Sequence, residues 1–342
     1  MVENTKKNVG WLVSNVRTND FEELFNTELA SSRMRAGVCI SGCQKAKINV
    51  YPLNFREAHH NPDLVFMAKY VPDSNTGQYL DDSGKRRAFW LEKIKLLHRK
   101  KGKLILDYTD NHFVNPGIVG DFYRKIKPKV HALILPSDRM RENVADSWKG
   151  KTYIIPEPVE VDFIKPGNRQ LKESTALWFG HITNLGWLLD FMMSGLHKAP
   201  PRHLIILVNN HPEEAVKEAA KKAPKGMKIS LAKWTVETMV HAAKISHYVL
   251  IPSNKNDPRK SGVSPGRLLT GLALGLPVVA SPLDSYMPFK DFFSIIGTDE
   301  GIATMKNPLV HNDKILKAQE LIKQKYTVEA IESEWVRVVC DQ

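Results

Sequence analysis

Short apolar runs alternate with amphipathic stretches along the whole chain, the pattern of a parallel sheet covered by helices on both faces. In the N-terminal half the runs predict strands at 8–14, 64–69, 103–108, 131–136 and 152–155, with a further one within 37–51. In the C-terminal half they predict strands at 175–179, 203–208, 228–232, 247–252, 276–281 and 293–296. Both halves contain a strand that ends apolar-Pro-Ser, at Leu135-Pro136-Ser137 and Ile251-Pro252-Ser253. The periodicity breaks at Pro166, Gly167 and Asn168, which sets a domain boundary there: 1–165 and 166–326. After Thr327 as a predicted N-cap, Val328, Ile331, Trp335 and Val338 recur at three- and four-residue spacing, one stripe of a terminal helix over 327–342.

The run KSGVSPGRLLTGLALGLPVVAS, 260–281, carries the most chemistry. Ser264 is predicted to cap a helix with Pro265 at its first position. Arg267 falls in the first turn, and Gly275 is a natural left-handed terminator. The strand Leu276–Ala280 follows. Lys260, Ser261 and Arg267 around a helix start, with its free N–H groups, describe a site for an anion, and a phosphate above all.

The same residues carry a family resemblance. A helix of small residues followed by G-x-P-V-V-A-S resembles the donor half of GT-B glycosyltransferases, in particular the group 1, family 4-like set. HALILPSDRMRENV (131–144), YIIPEPVEVDF (153–163), TALWFGHITNLG (175–186) and HYVLIPSN (247–254) resemble other segments of that family in the expected order. The resemblance implies two Rossmann-like α/β domains facing across a cleft, with the C-terminal helix crossing back to the first. It implies a metal-independent transferase with a nucleotide-sugar co-substrate, a nucleoside diphosphate product and no resident cofactor. Glycan or lipid-linked saccharide assembly is the pathway it implies, with a saccharide or lipid-linked acceptor.

In open α/β sheets, ligands bind beyond the carboxyl ends of the strands. For the donor this selects Gly180, His181, Thr183 and Asn184, where glycine lets the backbone approach a diphosphate and Thr183 or Asn184 could cap the next helix. The alternative is a plain strand–helix turn. It also selects the loop 254–264 with Asp257, Lys260, Ser261 and Ser264, followed by Arg267, whose planar fork suits phosphate oxygens. The family usually carries two acidic residues at the positions held here by Gly262 and Thr270, and an Arg and a Lys beside the glycine loop, where this chain has His181. Asp257 could take over one of the missing acidic contacts. Trp234, after the strand at 228–232, either flanks the nucleotide base or fills the rim of the core. In the first half, LDYTDNHF (106–113) delivers Asp110 and His112 to a strand end, where they could orient an acceptor hydroxyl or take its proton. The alternative is an Asx-type turn with an exposed histidine.

Composition narrows the class. The chain has 342 residues, 42% of them hydrophobic, enough for two real cores. No apolar stretch approaches a membrane span or a signal peptide, and Cys39, Cys43 and Cys340 have no zinc spacing. The expectation is a cytoplasmic enzyme with reduced thiols. Net charge is +12, spread over both halves, which favours acidic partners (nucleotide phosphates, anionic lipid or nucleic acid) without choosing among them. Residues 85–103 hold nine Lys/Arg and one Glu. With Phe89, Ile94 and Leu97 as an inner stripe, this is either a surface helix or one that lies on the inner membrane face. Three rivals stand beside the transferase: an inactive glycosyltransferase-like binding protein, favoured by the missing acids; a nucleic-acid-modifying glucosyltransferase, which the charge alone permits; and another GT-B chemistry such as nucleotide-sugar epimerisation. A long polar loop at 71–84 completes the candidates.

Overall fold

A computed structural model describes residues 8–14, 24–25, 30–53, 62–72, 84–167, 174–209, 213–257 and 260–342. Most of the 71–84 loop therefore lies outside the described residues. The chain forms two compact units, Met1–Glu157 with Gly262–Ser264 and Val328–Gln342, and Pro158–Ser261 with Pro265–Thr327.

The first unit is built on a parallel sheet. Its strands are β1 (Asn8–Leu12), β2 (Asn49–Pro52), β3 (Leu64–Met67), β4 (Lys103–Asp107), β5 (Val130–Leu135) and β6 (Lys151–Ile154), in the order β2-β1-β3-β4-β5-β6. Side chains alternate between the two faces of a strand. Leu64 and Phe66 therefore join Val9, Trp11 and Ile105 in one core, while Val65 and Met67 join Leu12, Leu104 and Leu106 in another. Both faces are buried, which is why these strands read as continuous apolar runs. The further strand sought within 37–51 is β2 alone. The residues before it are helical: a π-helical segment Ser31–Gly37 runs into α1 (Val38–Lys45), whose Val38, Cys39, Ile40 and Cys43 are buried.

The basic stretch forms α2 (Lys85–Arg99), followed by α3 (Gly117–Ile126) and α4 (Asp138–Val144). The inner face of α2 is Trp90, Ile94 and Leu97. Ile94 and Leu97 are buried as expected, while Phe89 is only partly buried and its place is taken by Trp90. Trp90 wins the interior because Tyr70 and Phe122 offer it aromatic partners, with ring centroids at 5.5 and 6.1 Å.

The terminal helix Val328–Cys340 packs on this first unit, as expected. Trp335 meets Trp11 edge-on at 5.5 Å and Phe66 at 5.8 Å. Glu332, on the same face, accepts from Lys45 Nζ at 2.6 Å and from Ser41 Oγ. A buried carboxylate is tolerable only with such partners.

The second unit repeats the plan. Its strands are β7 (Thr175–Gly180), β8 (His203–Val208), β9 (Lys228–Lys233), β10 (Tyr248–Ile251), β11 (Val278–Ala280) and β12 (Ser294–Ile295), ordered β12-β11-β10-β7-β8-β9, all parallel. Its helices are α5 (Leu185–Ser194), α6 (Glu213–Lys222), α7 (Val236–Lys244), α8 (Gly266–Ala273), α9 (Asp299–Lys306) and α10 (Asn312–Lys325).

Helix α8 ends as its sequence predicts. Gly275 has φ +70°, Gly275 N–H donates to Leu272 O, and Leu276 N–H donates to Gly271 O, the two bonds of a Schellman motif. Gln319 of α10 closes the end by donating to the carbonyls of Ile164, Leu272 and Ala273 at 2.8, 2.9 and 3.2 Å. The start of α8 departs from expectation. Gly266 is the first helical residue, and Pro265, at ψ 10°, takes the boundary position given to Ser264, with no side-chain cap. Among the described residues no helix is long and apolar enough to cross a membrane.

Candidate functional site

Each sheet reverses its strand order once. In the second unit the chain runs β7-β8-β9 toward one edge and β10-β11-β12 toward the other. The loops leaving the adjacent strands β7 and β10 therefore part, and a crevice opens at their carboxyl ends. Gly180 ends β7 there. A Cβ at Gly180 would stand 3.2 Å from Arg267 Nη1 and 3.3 Å from the Trp178 ring, so the guanidinium lies directly on the glycine. That nitrogen is buried and has no hydrogen-bond partner.

The rest of the crevice follows from the loops. His181 Nδ1 accepts from Thr183 N–H at 3.3 Å and lies 3.0 Å from Thr183 Oγ1, opening the short turn Ile182–Asn184. Asn209, past the end of β8, accepts from Ile182 N–H at 2.9 Å. Lys260 Nζ donates to Asn184 Oδ1 at 2.6 Å. Ser261 Oγ donates to Asp284 Oδ2 at 2.7 Å. Asp257 is buried in a turn closed by its own backbone, with its N–H on Asn254 O and its carbonyl accepting from Lys260 N–H.

The structure thus brings Gly180 to Arg267, Asn184 to Lys260 and His181 to Thr183. Trp234 is half-buried past the end of β9, two strands from β7, with its N–H on Val208 O. Ser264 stands in the short segment grouped with the first unit and does not cap α8.

In the first unit the reversal falls between β1 and β3. Ser14, past β1, donates to Lys69 O at 2.9 Å and accepts from Val71 N–H at 3.0 Å, tying the two strand ends together. Lys69 Nζ reaches Asp110 Oδ2 at 2.6 Å. His112 Nε2 is 3.8 Å from the same oxygen. The imidazole is buried, stacked on Tyr123 with centroids 4.6 Å apart, contrary to an exposed turn histidine. Burial pushes its pKa down to about 4, with Asp110 opposing and Lys69 assisting, so it is neutral at pH 7. Asn115 Nδ2 sits 3.3 Å from Nδ1. With the amide donating there, the ring proton is assigned to Nε2, a buried donor without a hydrogen-bond acceptor.

Lys69 and Asp284, which touch candidate residues, and the buried ion pair Arg35–Asp107 are not announced by the sequence. Lys69 lies two residues beyond β3 and the strand-end rule could have found it. The pair joins residues 72 apart in sequence and no local signal announces it. Arg35 donates to Asp107 Oδ1 and Oδ2 at 2.5–3.2 Å and to Ile155 O, and lies 5.1 Å over the Trp335 ring. Both side chains are fully buried.

No family model matches the chain, and no curated protein matches it. Solved structures do. Sucrose-phosphate synthase from Thermosynechococcus elongatus matches with TM-score 0.64 and 9% identity over 98% of each chain. The lipopolysaccharide outer core galactosyltransferase WaaB matches with TM-score 0.59 and 10% identity over 98% of this chain and 99% of that one. TarM from S. aureus, in a complex containing UDP, matches with TM-score 0.54 and 13% identity over 80% of this chain, which spans only 54% of TarM. Identities this low define the fold, which is GT-B: two Rossmann-like α/β units.

Proposed function

We propose that this protein is a glycosyltransferase that moves a sugar from a nucleotide-sugar to a hydroxyl acceptor and releases a nucleoside diphosphate. The observation that carries this reading is Arg267. Its buried Nη1 lacks an acceptor and stands on the glycine of a strand-end loop at the switch point. A buried donor left open destabilises a fold by about 1–3 kcal/mol, more when charged. A phosphate oxygen at Gly180 removes that penalty. Lys260, held on Asn184, adds a second cation, and together they oppose the negative charge that develops on the leaving diphosphate. The UDP in the TarM complex and the G-x-P-V-V-A-S run support a nucleoside diphosphate and a family 4-like relationship. In the first unit, Asp110 serves as the group that orients or deprotonates the acceptor hydroxyl, and His112 Nε2–H as a donor to a substrate oxygen.

Calorimetric titration with UDP, GDP, ADP and TDP, each also as a sugar conjugate, tests this. One nucleoside diphosphate binds, and Arg267→Ala weakens it about ten- to a hundred-fold, as for the loss of a charged hydrogen bond. Lys260→Ala weakens it less, because an ammonium has no bidentate fit. Unchanged affinity in a folded Arg267→Ala/Lys260→Ala variant rules the site out. Binding without turnover on any acceptor identifies the inactive relative instead.

A further inference from the structure

We infer that Asp284, with the hydroxyls of Ser253 and Ser285, reads the hydroxyl groups of the transferred sugar; this rests on the nucleotide-sugar reading above. The starting observation is a carboxylate beside a cationic site. Ser261 binds Asp284 Oδ2 at 2.7 Å, and Ser261 is the neighbour of Lys260, whose ammonium is fixed on Asn184. An acid repels phosphate, so it does not serve the diphosphate itself. It suits what is attached to the diphosphate. A carboxylate accepts from several hydroxyls at once, through two oxygens and about four lone-pair positions, and a hexose presents hydroxyls in that manner.

A second observation is independent of the first. Ser253 Oγ and Ser285 Oγ are buried and have no hydrogen-bond partner, and Ser285 is 3% exposed. Native folds rarely leave buried hydroxyls open. Ser253 follows β10 and donates its N–H to Ser281 Oγ, just past β11, at 2.9 Å. Asp284 and Ser285 open the 3₁₀ segment Asp284–Phe292 that follows β11. The open hydroxyls and the acid therefore belong to two adjacent strand ends. A hydroxyl both donates and accepts, which matches the mixed hydrogen-bonding of a sugar and not the acceptor-only surface of a phosphate. Sites built to bond a substrate hydroxyl reject analogues that lack it.

The test separates sugar from diphosphate. Wild type, Asp284→Asn and Ser285→Ala are titrated with UDP, GDP, ADP and TDP, and with UDP-glucose, GDP-mannose, ADP-glucose and TDP-glucose. Thermal melts confirm that each variant is folded. For the pair that wild type binds, Asp284→Asn weakens the sugar conjugate about ten-fold or more while the free diphosphate stays within about two-fold. Ser285→Ala shifts the conjugate the same way by less. If Asp284→Asn and Ser285→Ala leave the conjugate unchanged, or weaken both ligands alike, the sugar role is overturned and the diphosphate site stands. If wild type binds none of these ligands, the donor reading fails and the sugar role with it.

Discussion

Removing one member of the Arg35–Asp107 pair strands a charge inside the first unit. Arg35→Met leaves the Asp107 carboxylate with none of its three guanidinium hydrogen bonds, in a place where both side chains are 0% exposed. Ile155 O also loses a donor and Trp335 its overlying cation. Breaking a buried pair on one side destabilises by about 3–5 kcal/mol, and the lost carbonyl contact adds about 1 kcal/mol. Asp107→Leu alone should do comparable damage, because the stranded guanidinium cannot be neutralised. The double variant Arg35→Met/Asp107→Leu should recover most of the loss, since an apolar pair of similar volume is often neutral. Urea unfolding of the two singles and the double measures this as a cycle. Singles that lose less than about 1 kcal/mol, or a double that equals their sum, would falsify the reasoning.

Three further outcomes can be checked. His112 has its pKa at about 4 in the fold against about 6.5 unfolded; the unfolded chain binds the extra proton, so stability is full above pH 6.5 and declines by up to about 3 kcal/mol as pH falls to 4. His112→Gln abolishes that slope, and a variant melting profile parallel to wild type over this window contradicts the assignment. Gly180→Val crowds Arg267 Nη1 at 3.2 Å and the buried Trp178 ring at 3.3 Å from the new Cβ, and should reduce nucleotide affinity about ten-fold while overpacking costs about 1–3 kcal/mol of stability; titration beside thermal melts decides. The exposed cations of α2, among them Lys85, Lys95 and Arg99, should carry the protein down with phosphatidylserine vesicles and release it at high salt, whereas equal recovery with neutral vesicles removes the electrostatic case.

The strands were legible because a parallel strand buried on both faces must be apolar throughout, and runs such as Leu204–Val208 and Tyr248–Ile251 have no other use. Legibility failed where one composition served two periods. VCISGCQK at 38–45 is apolar enough for a strand, yet it packs as a helix against Trp335 and its neighbours. In α2, adjacent aromatics at 89 and 90 left the inner face undecided by one residue until Tyr70 and Phe122 settled it. The site was legible as a set of loop positions and illegible as a set of pairs. Lys260 and Asn184 are 76 residues apart and Lys69 and Asp110 are 41 apart. The first pair exists only because the strand order reverses between β7 and β10, and the second because β3 and β4 lie side by side; no single motif encodes either arrangement.

The two switch points differ in how their charge is settled, and the difference bears on what each accepts. In the first unit Lys69 is matched by Asp110 and Arg35 by Asp107, and the burial that lowers the His112 pKa keeps its ring neutral. A neutral hydroxyl can enter there without leaving an ion unpaired, and the Nε2–H of His112 gains an acceptor from it. In the second unit the guanidinium nitrogen on Gly180 stays open, so a neutral ligand would leave its charge uncompensated and an anion would not. On the proposed function, this difference suits a neutral acceptor hydroxyl in the first unit and the diphosphate in the second.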